Sequence, residues 1–338
     1  MKLHDTIFRR RLLIESALAC GVGPAFGQQS AAGAEKTRKI VVPFHAGGIS
    51  SIVASLLAQE LFALGAGKYE IVHVPGMTNM LAYRAVKLRG RALQWDILIG
   101  GPSIFTIGQS LNPFLTGDPE KDLKILTPLL YGPMVLVTSS KSRIADWRQL
   151  EKKADPKKVA VSGLGSPSHL MAAYIDTSLF KLGQAFNTEG DIPAIHRVLA
   201  GELDCAVVSL GSCREFLNSD LNVLMSSMAE PLTLSHGQQV PSVRAIAKDR
   251  DAPDFSFYNW LGAAIDIHMP ESEQATLMQA ITEARHRPAL QQFFESIQHQ
   301  ALLRSPEQMA QEIRQYADYW AEFVDRLKLE KALDLLPG

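Results

Sequence analysis

The feature that most constrains this chain is its alternation of short β-branched runs with longer stretches of helical periodicity. KIVVPF, residues 39–44, is followed by SIVASLLAQELFAL, YEIVHV by MLAYRAVKL, and WDILIG by PSIFTIGQSL. Strands that run in one direction need crossovers, and helices supply them. The rhythm therefore predicts βαβ units around a parallel sheet. A second set starts near residue 140, with ADWRQLEKKA, KVAVSG, PSHLMAAYIDTSLFKLG, AIHRVLAG and LDCAVVSL. From Glu271 the pattern is almost wholly helical. No internal repeat interrupts it.

Composition narrows the function. The chain has 338 residues, 46% hydrophobic and 20% charged, enough to bury a core in each of two lobes. Its formal net charge is −1, and no basic stripe interleaves with aromatic residues, so a nucleic-acid partner is set aside. At the N-terminus Arg9, Arg10 and Arg11 precede an apolar stretch from Leu12 to Phe26 and a small-residue exit at Ala25-Phe26-Gly27. That is the layout of a secretory signal over residues 1–27, cleaved before Gln28, and it predicts a periplasmic protein. A span broken by Glu15 falls short of the roughly 20 apolar residues that cross a bilayer. The Arg-Arg-Arg-Leu-Leu run also resembles a twin-arginine signal.

Cys205 and Cys213 remain after cleavage. Neither has metal-ligand spacing, and no CxxC or HExxH occurs, so no metal is expected. An extended segment between them would hold the thiols roughly 20 Å apart, so both are expected as buried small hydrophobes without a disulfide. No GxGxxG follows a strand and no GxxxxGK[ST] is present, so no cofactor is expected.

Two strand-to-helix junctions stand out. Pro43 cannot donate to a ladder and should end the first strand, Ala46-Gly47-Gly48 turns the chain, and Ser50 is suited to cap the helix. In VAVSGLGSPSHL, Gly163 and Gly165 form the turn, Ser166 is placed to cap, and Pro167 takes the first helical position. Unpaired N–H groups at a helix start attract anions, and ligands of α/β proteins bind at the carboxyl ends of strands. Each junction is a candidate carboxylate or phosphate seat. Glycine and serine are also the ordinary material of such turns.

These segments, in this order, resemble the tripartite tricarboxylate transporter receptors, or Bug-type periplasmic solute-binding proteins. The resemblance is carried by VVPFHAGGISSIVASLLAQEL, VHVPGMTN, the stretch EKDLKILTPLLYGPMVLVTSSKSRIADWRQLEKKADPKKVAVSGLGSPSHL, GDIPAIHRVLAGELDCAVVS and NWLGAAIDIHMP. It implies a two-lobe periplasmic-binding-protein-like α/β fold, type II, each lobe a mixed, mostly parallel sheet flanked by helices, with a two-strand hinge and a helical C-terminal segment. Lobe one would be residues 38–138 plus 259–338, and lobe two residues 139–258. It further implies a monomer that closes on a small carboxylate and passes it to a membrane permease. The implied ligand-binding residues are Phe44, Gly47, Gly48, Ile49, Ser50 and Ser51 from the first loop, and Gly101, Pro102 and Ser103 from another turn. Gly165, Ser166, Ser168 and His169 come from the second loop, and Thr188, Gly190 and Asp191 from a third stretch.

Departures from the family pattern bear on the ligand. Ser51 stands where the family has an Asp, Ser55 where it has an Arg, His73 and Val74 replace an Asn-Arg pair, Thr78 and Asn79 replace glycines, and Thr188 replaces a Tyr. Losing an acid beside an anion seat makes the site less hostile to negative charge and less suited to an amino group. Two other readings compete: a ligand sensor that contacts a membrane receptor such as a sensor kinase, and a hydrolase built on Ser166 and His169. Against the hydrolase, GLGSPSH is not a GxSxG elbow, so an enzyme is not expected.

Overall fold

In the computed structural model the described residues are 38–326, apart from 77–78, 93, 95, 109–116, 164, 189, 218 and 302–303. The signal-like segment and Thr78 lie outside them. Thirteen strands run through the described residues. They are β1 (Arg38–Val42), β2 (Tyr69–His73), β3 (Ile97–Gly100), β4 (Leu123–Gly132), β5 (Met134–Ser139), β6 (Lys158–Val161), β7 (Gln184–Asn187), β8 (Cys205–Ser209), β9 (Leu221–Ser226), β10 (Leu232–Thr233), β11 (Gln239–Val240), β12 (Asn259–Asp266) and β13 (Gln300–Ala301).

One sheet has the order β13-β4-β12-β3-β1-β2 and the other β7-β6-β8-β5-β9, with β10 and β11 forming a separate small ribbon. Period-two alternation explains why both faces of each sheet are covered. Ile40 and Val42 enter one apolar cluster and Val41 another, as Ile97 and Ile99 do against Leu98. In the second sheet Val159 and Val161 face one cluster and Ala160 the other. The first helix, Ile49–Ala63, buries Val53, Leu57 and Leu61 against the first sheet.

Both sheets are mixed, and their antiparallel share is larger than the βαβ rhythm implies. β2-β1-β3 and β7-β6-β8 are parallel, whereas β12 pairs antiparallel with β3 and β4, and β5 does so with β8 and β9. The added strands are those by which the chain leaves one sheet and returns from the other. β4 passes into β5 through Pro133 alone, and the return runs from β9 to β12. β4 and β12 lie side by side from Leu123↔Asp266 to Asn259↔Gly132.

Where the two passages leave the first sheet, Ser227 joins them. Its N–H donates to the Met134 carbonyl at 2.9 Å, and its carbonyl accepts from Phe257 N–H at 2.9 Å. Its hydroxyl donates to the Phe257 carbonyl at 2.7 Å and accepts from Met134 N–H at 3.1 Å. The long C-terminal helix, Pro306–Arg326, also touches both sides: Met309 and Ile313 pack with the first sheet, and Trp320 and Val324 with the second. The sequence split had placed that whole segment in one lobe. Trp320 is 1% exposed and lies 5.3 Å from the Phe257 ring, so the apolar stripe of this helix is core.

A further link is His299. Its Nε2 accepts from the Ser209 hydroxyl at 3.2 Å, and its Nδ1–H donates to the Ile297 carbonyl at 2.9 Å. Gly132 makes room for the ring, because a Cβ there would lie 2.3 Å from Nε2. Burial holds His299 neutral and lowers its pKa from the ordinary 6.5 to about 4.

Two outcomes are expected. Ser227→Ala leaves buried Met134 N–H and Phe257 C=O one partner short, and should destabilise the protein by about 1–3 kcal/mol in urea unfolding. An unchanged midpoint would remove Ser227 from this role. For His299 the folded pKa of about 4 lies below the unfolded 6.5, so the unfolded chain takes up its proton first and stability falls as pH drops through that interval. His169, lowered to about 4 by burial, adds to the trend, while the raised carboxyls of Glu120 and Asp191 oppose it. His299→Gln should therefore flatten the stability profile between pH 6.5 and 4 relative to the unaltered chain, measured by denaturant titration at each pH.

Candidate functional site

Between the sheets lies an open cleft, lined from both sides by the carboxyl ends of strands and the starts of helices. On the first-sheet side are Phe44, Gly48, Ile49 and Ser50 after β1, Gly101, Pro102 and Ser103 after β3, and Trp260 on β12. On the second-sheet side are Ser162 and Ser166 after β6, Gly190 and Asp191 at the start of the helix Asp191–Leu199, Ser209 at the end of β8, and Ser212 just beyond it.

The first junction differs from expectation in its cap. Gly48, extended at φ −82° and ψ 175°, is the N-cap of the 15-residue helix, and no side chain caps it. Its carbonyl accepts from Ser51 and Ile52 N–H at 3.0 and 3.2 Å, which leaves Ser50 inside the first turn. Among the described residues nothing accepts from the N–H groups of Ile49 and Ser50. Those donors sit at the positive end of the helix dipole and on the wall of the cleft.

The second junction is closed on itself. Ser166 caps its helix as expected, accepting from His169 N–H at 3.4 Å while donating to the Gly163 carbonyl at 2.6 Å. The Ser168 oxygen lies 2.8 Å from the Ser166 and Ser162 oxygens and accepts from Ser162 N–H. His169 Nδ1 accepts from Gly165 N–H at 3.0 Å, and burial lowers its pKa to about 4, so the ring is a neutral brace for the turn. No hydrogen bond joins the side chains of Ser166 and His169, which leaves a nucleophile–base pair without geometry.

The uncapped helix on this side begins instead at Gly190, where the first helical residue is Asp191. Asp191 Oδ2 accepts from Ser209 N–H at 3.1 Å and from the Ser212 hydroxyl at 2.8 Å. Burial raises its pKa, and these donors, with the Ser162 hydroxyl, pull it back.

Of the residues named from sequence, Phe44, Gly48, Ile49, Ser50, Gly101, Pro102, Ser103, Ser166, Gly190 and Asp191 line the cleft together. Gly47, Ser51, Gly165, Ser168, His169 and Thr188 do not. Ser51 turns to His73, Oγ to Nε2 at 2.9 Å, so two of the departures pair with each other. The Ser55 hydroxyl back-bonds to the Ser51 carbonyl at 2.9 Å. The Thr188 hydroxyl is spent on the Val161 carbonyl at 2.9 Å, with the Gly190 carbonyl at 3.1 Å. Asn79, another departure, does line the cleft.

Sequence reasoning missed Ser209 and Ser212, which the end of the DCAVVSL strand could have signalled, and His299, which nothing local marks. Trp260 is 2% exposed, stacks on Phe105 at 5.9 Å, and also lines the cleft. Gly101 is needed for that contact, since a Cβ would come within 2.2 Å of the Trp260 carbonyl oxygen. Cys205 and Cys213 are buried free thiols as expected, with the Cys205 pKa pushed up to about 12. Among the described residues no group of His, Cys, Asp and Glu could hold a metal ion, and no helix is long and apolar enough to cross a membrane.

Known proteins share this architecture. The chain is 23% identical over 329 residues to the "UPF0065 protein in tcbD-tcbE intergenic region" of Pseudomonas sp. (strain P51), covering 96% of each. Among solved structures, Rpa4515 of R. palustris with adipate superposes with a TM-score of 0.77 at 19% identity, over 86% of this chain and 97% of that one. MatC of Rhodopseudomonas palustris with bound malate gives 0.75 at 21% identity, over 85% and 98%. The description "Tripartite tricarboxylate transporter family receptor" matches residues 102–329, which include the second-sheet side of the cleft and both passages between the sheets, and the chain belongs to that family.

Proposed function

We propose that this protein is an exported receptor that captures a small organic carboxylate between its lobes and delivers it to a membrane permease, with no chemistry of its own. The observation that carries the reading is the uncapped start of the helix Ile49–Ala63, whose free N–H groups open onto the cleft. A carboxylate there would receive charge-assisted hydrogen bonds in a partly desolvated site. The adipate and malate held by the two structural relatives support the ligand class.

In this reading residues 1–27 direct export to the periplasm, and the lobes, 38–138 with 259–338 and 139–258, rotate about the passages at Pro133 and Ser227. Binding shifts an open–closed equilibrium, and the permease recognises the closed form. Gly48, Ile49 and Ser50 hold the carboxylate, while Gly101, Pro102 and Ser103 shape its floor. Ser51, Ser168, His169 and Thr188 act behind the wall by fixing the turns.

Gly48→Val tests the reading. A Cβ at Gly48 meets nothing within 4 Å and its backbone is extended, so the variant should fold, with a melting temperature lowered only by the poorer N-cap, about 1 kcal/mol. A carboxylate at 100 times its Kd should stabilise the unaltered protein by about 2.7 kcal/mol, seen as a rise in Tm, and the variant should lose that rise. An undiminished rise in the variant, or no rise with any mono- or dicarboxylate, overturns the proposal.

A further inference from the structure

The described lining of the cleft is short of basic side chains. Among the described residues lining it there is no lysine or arginine, and Asp191 is the one carboxylate. An uncapped helix start on the first-sheet side faces the cleft with nothing to neutralise it, whereas the helix start on the other side already carries Asp191. That carboxylate is fixed to the end of β8 through Ser209 N–H and the Ser212 hydroxyl, both on Oδ2. Apolar side chains make up the larger part of the lining, among them Phe44, Leu130, Met134, Ile192 and Leu261, with Asn79 and Asn259 among the polar ones.

The loss of an acid at position 51 had argued against an amino-bearing ligand. Ser51 is outside the cleft, paired with His73, so that loss does not bear on the ligand. The acid that does bear on it enters from the other lobe.

We propose that the ligand is an amino-carboxylate: its carboxylate meets the N–H groups of Ile49 and Ser50, its ammonium meets Asp191, and a hydrocarbon body lies between. The inference rests on the carboxylate reading above and adds the charge at the far end. A dicarboxylate would bring its second charge to a site that offers Asp191 and, among the described lining residues, no lysine or arginine. An ammonium group satisfies Asp191 and leaves the closed cleft close to neutral.

Calorimetric titration of the full chain with matched compounds tests it: hexanoate, 6-aminohexanoate and adipate, then butyrate, 4-aminobutyrate and succinate, with leucine as the α-amino form. At least one amino-carboxylate should bind about tenfold or more tightly than the methyl-ended and dicarboxylate compounds of its length, the size expected of a buried charge-assisted pair. Asp191→Asn should erase that preference, bringing the amino-carboxylate down to the affinity of the simple acid of its length. If a dicarboxylate binds more tightly than its amino counterpart, or the preference survives in Asp191→Asn, this inference falls and the carboxylate reading stands. If no compound binds, both fall. The ranking in the unaltered chain decides the question even if the variant does not fold.

Discussion

The cleft exists because two passages of chain leave one sheet together and enter the other together, and Ser227 is where they are held. Between sheets a strand loses its ladder partners, and the backbone groups exposed there must still be satisfied. Pro133 has no N–H to leave orphaned, its carbonyl accepts from Leu210 N–H, and Ser227 supplies four bonds that replace the missing ladder. The site is shaped from both sides, so its geometry follows from how those passages are fixed. His299 and Trp320 add contacts on either flank, one polar and one apolar.

The polar design of the cleft uses the backbone more than charged side chains. Its first-sheet wall offers helix N–H groups and small hydroxyls, which recognise an anion without the desolvation cost of a buried cation. The hydroxyls in and behind its second-sheet wall are spent internally: Ser166, Ser168 and Thr188 hold turns, Ser212 holds Asp191, and Ser209 meets His299. The two sides are thus chemically unequal although both start from glycine-rich junctions.

That inequality marks the limit of what the sequence could tell. The period-two runs and Gly-Ser turns made the strands, the helices and the first loop legible, because these depend on neighbours within a few residues. The capping role of Ser50 was misread because glycine and serine caps are nearly equivalent by propensity, and the extended backbone at Gly48 decided between them. Ser51 and His73 could not be paired from sequence, since their contact depends on the register of β1 with β2. The same holds for Asp191, whose partners lie 18 and 21 residues further on. Antiparallel strands were under-counted because strand direction depends on partners far along the chain, as for β4 with β12, and because the two-residue β13 follows the helices that begin at Glu271.

The pairing of β4 with β12 also orders the birth of the molecule. The second sheet is contiguous in the chain, from β5 to β9, and its strands can pair as soon as that stretch is available. The first sheet cannot: β3 and β4 lack their shared neighbour until Asn259–Asp266 appears, more than a hundred residues after β4. Closing so long a loop is slow, and meanwhile the apolar faces of β1, β3 and β4 stay uncovered. The inserted lobe should therefore mature first and the outer one last, making β12 the commitment step of folding and the half-built first sheet the species most prone to aggregate.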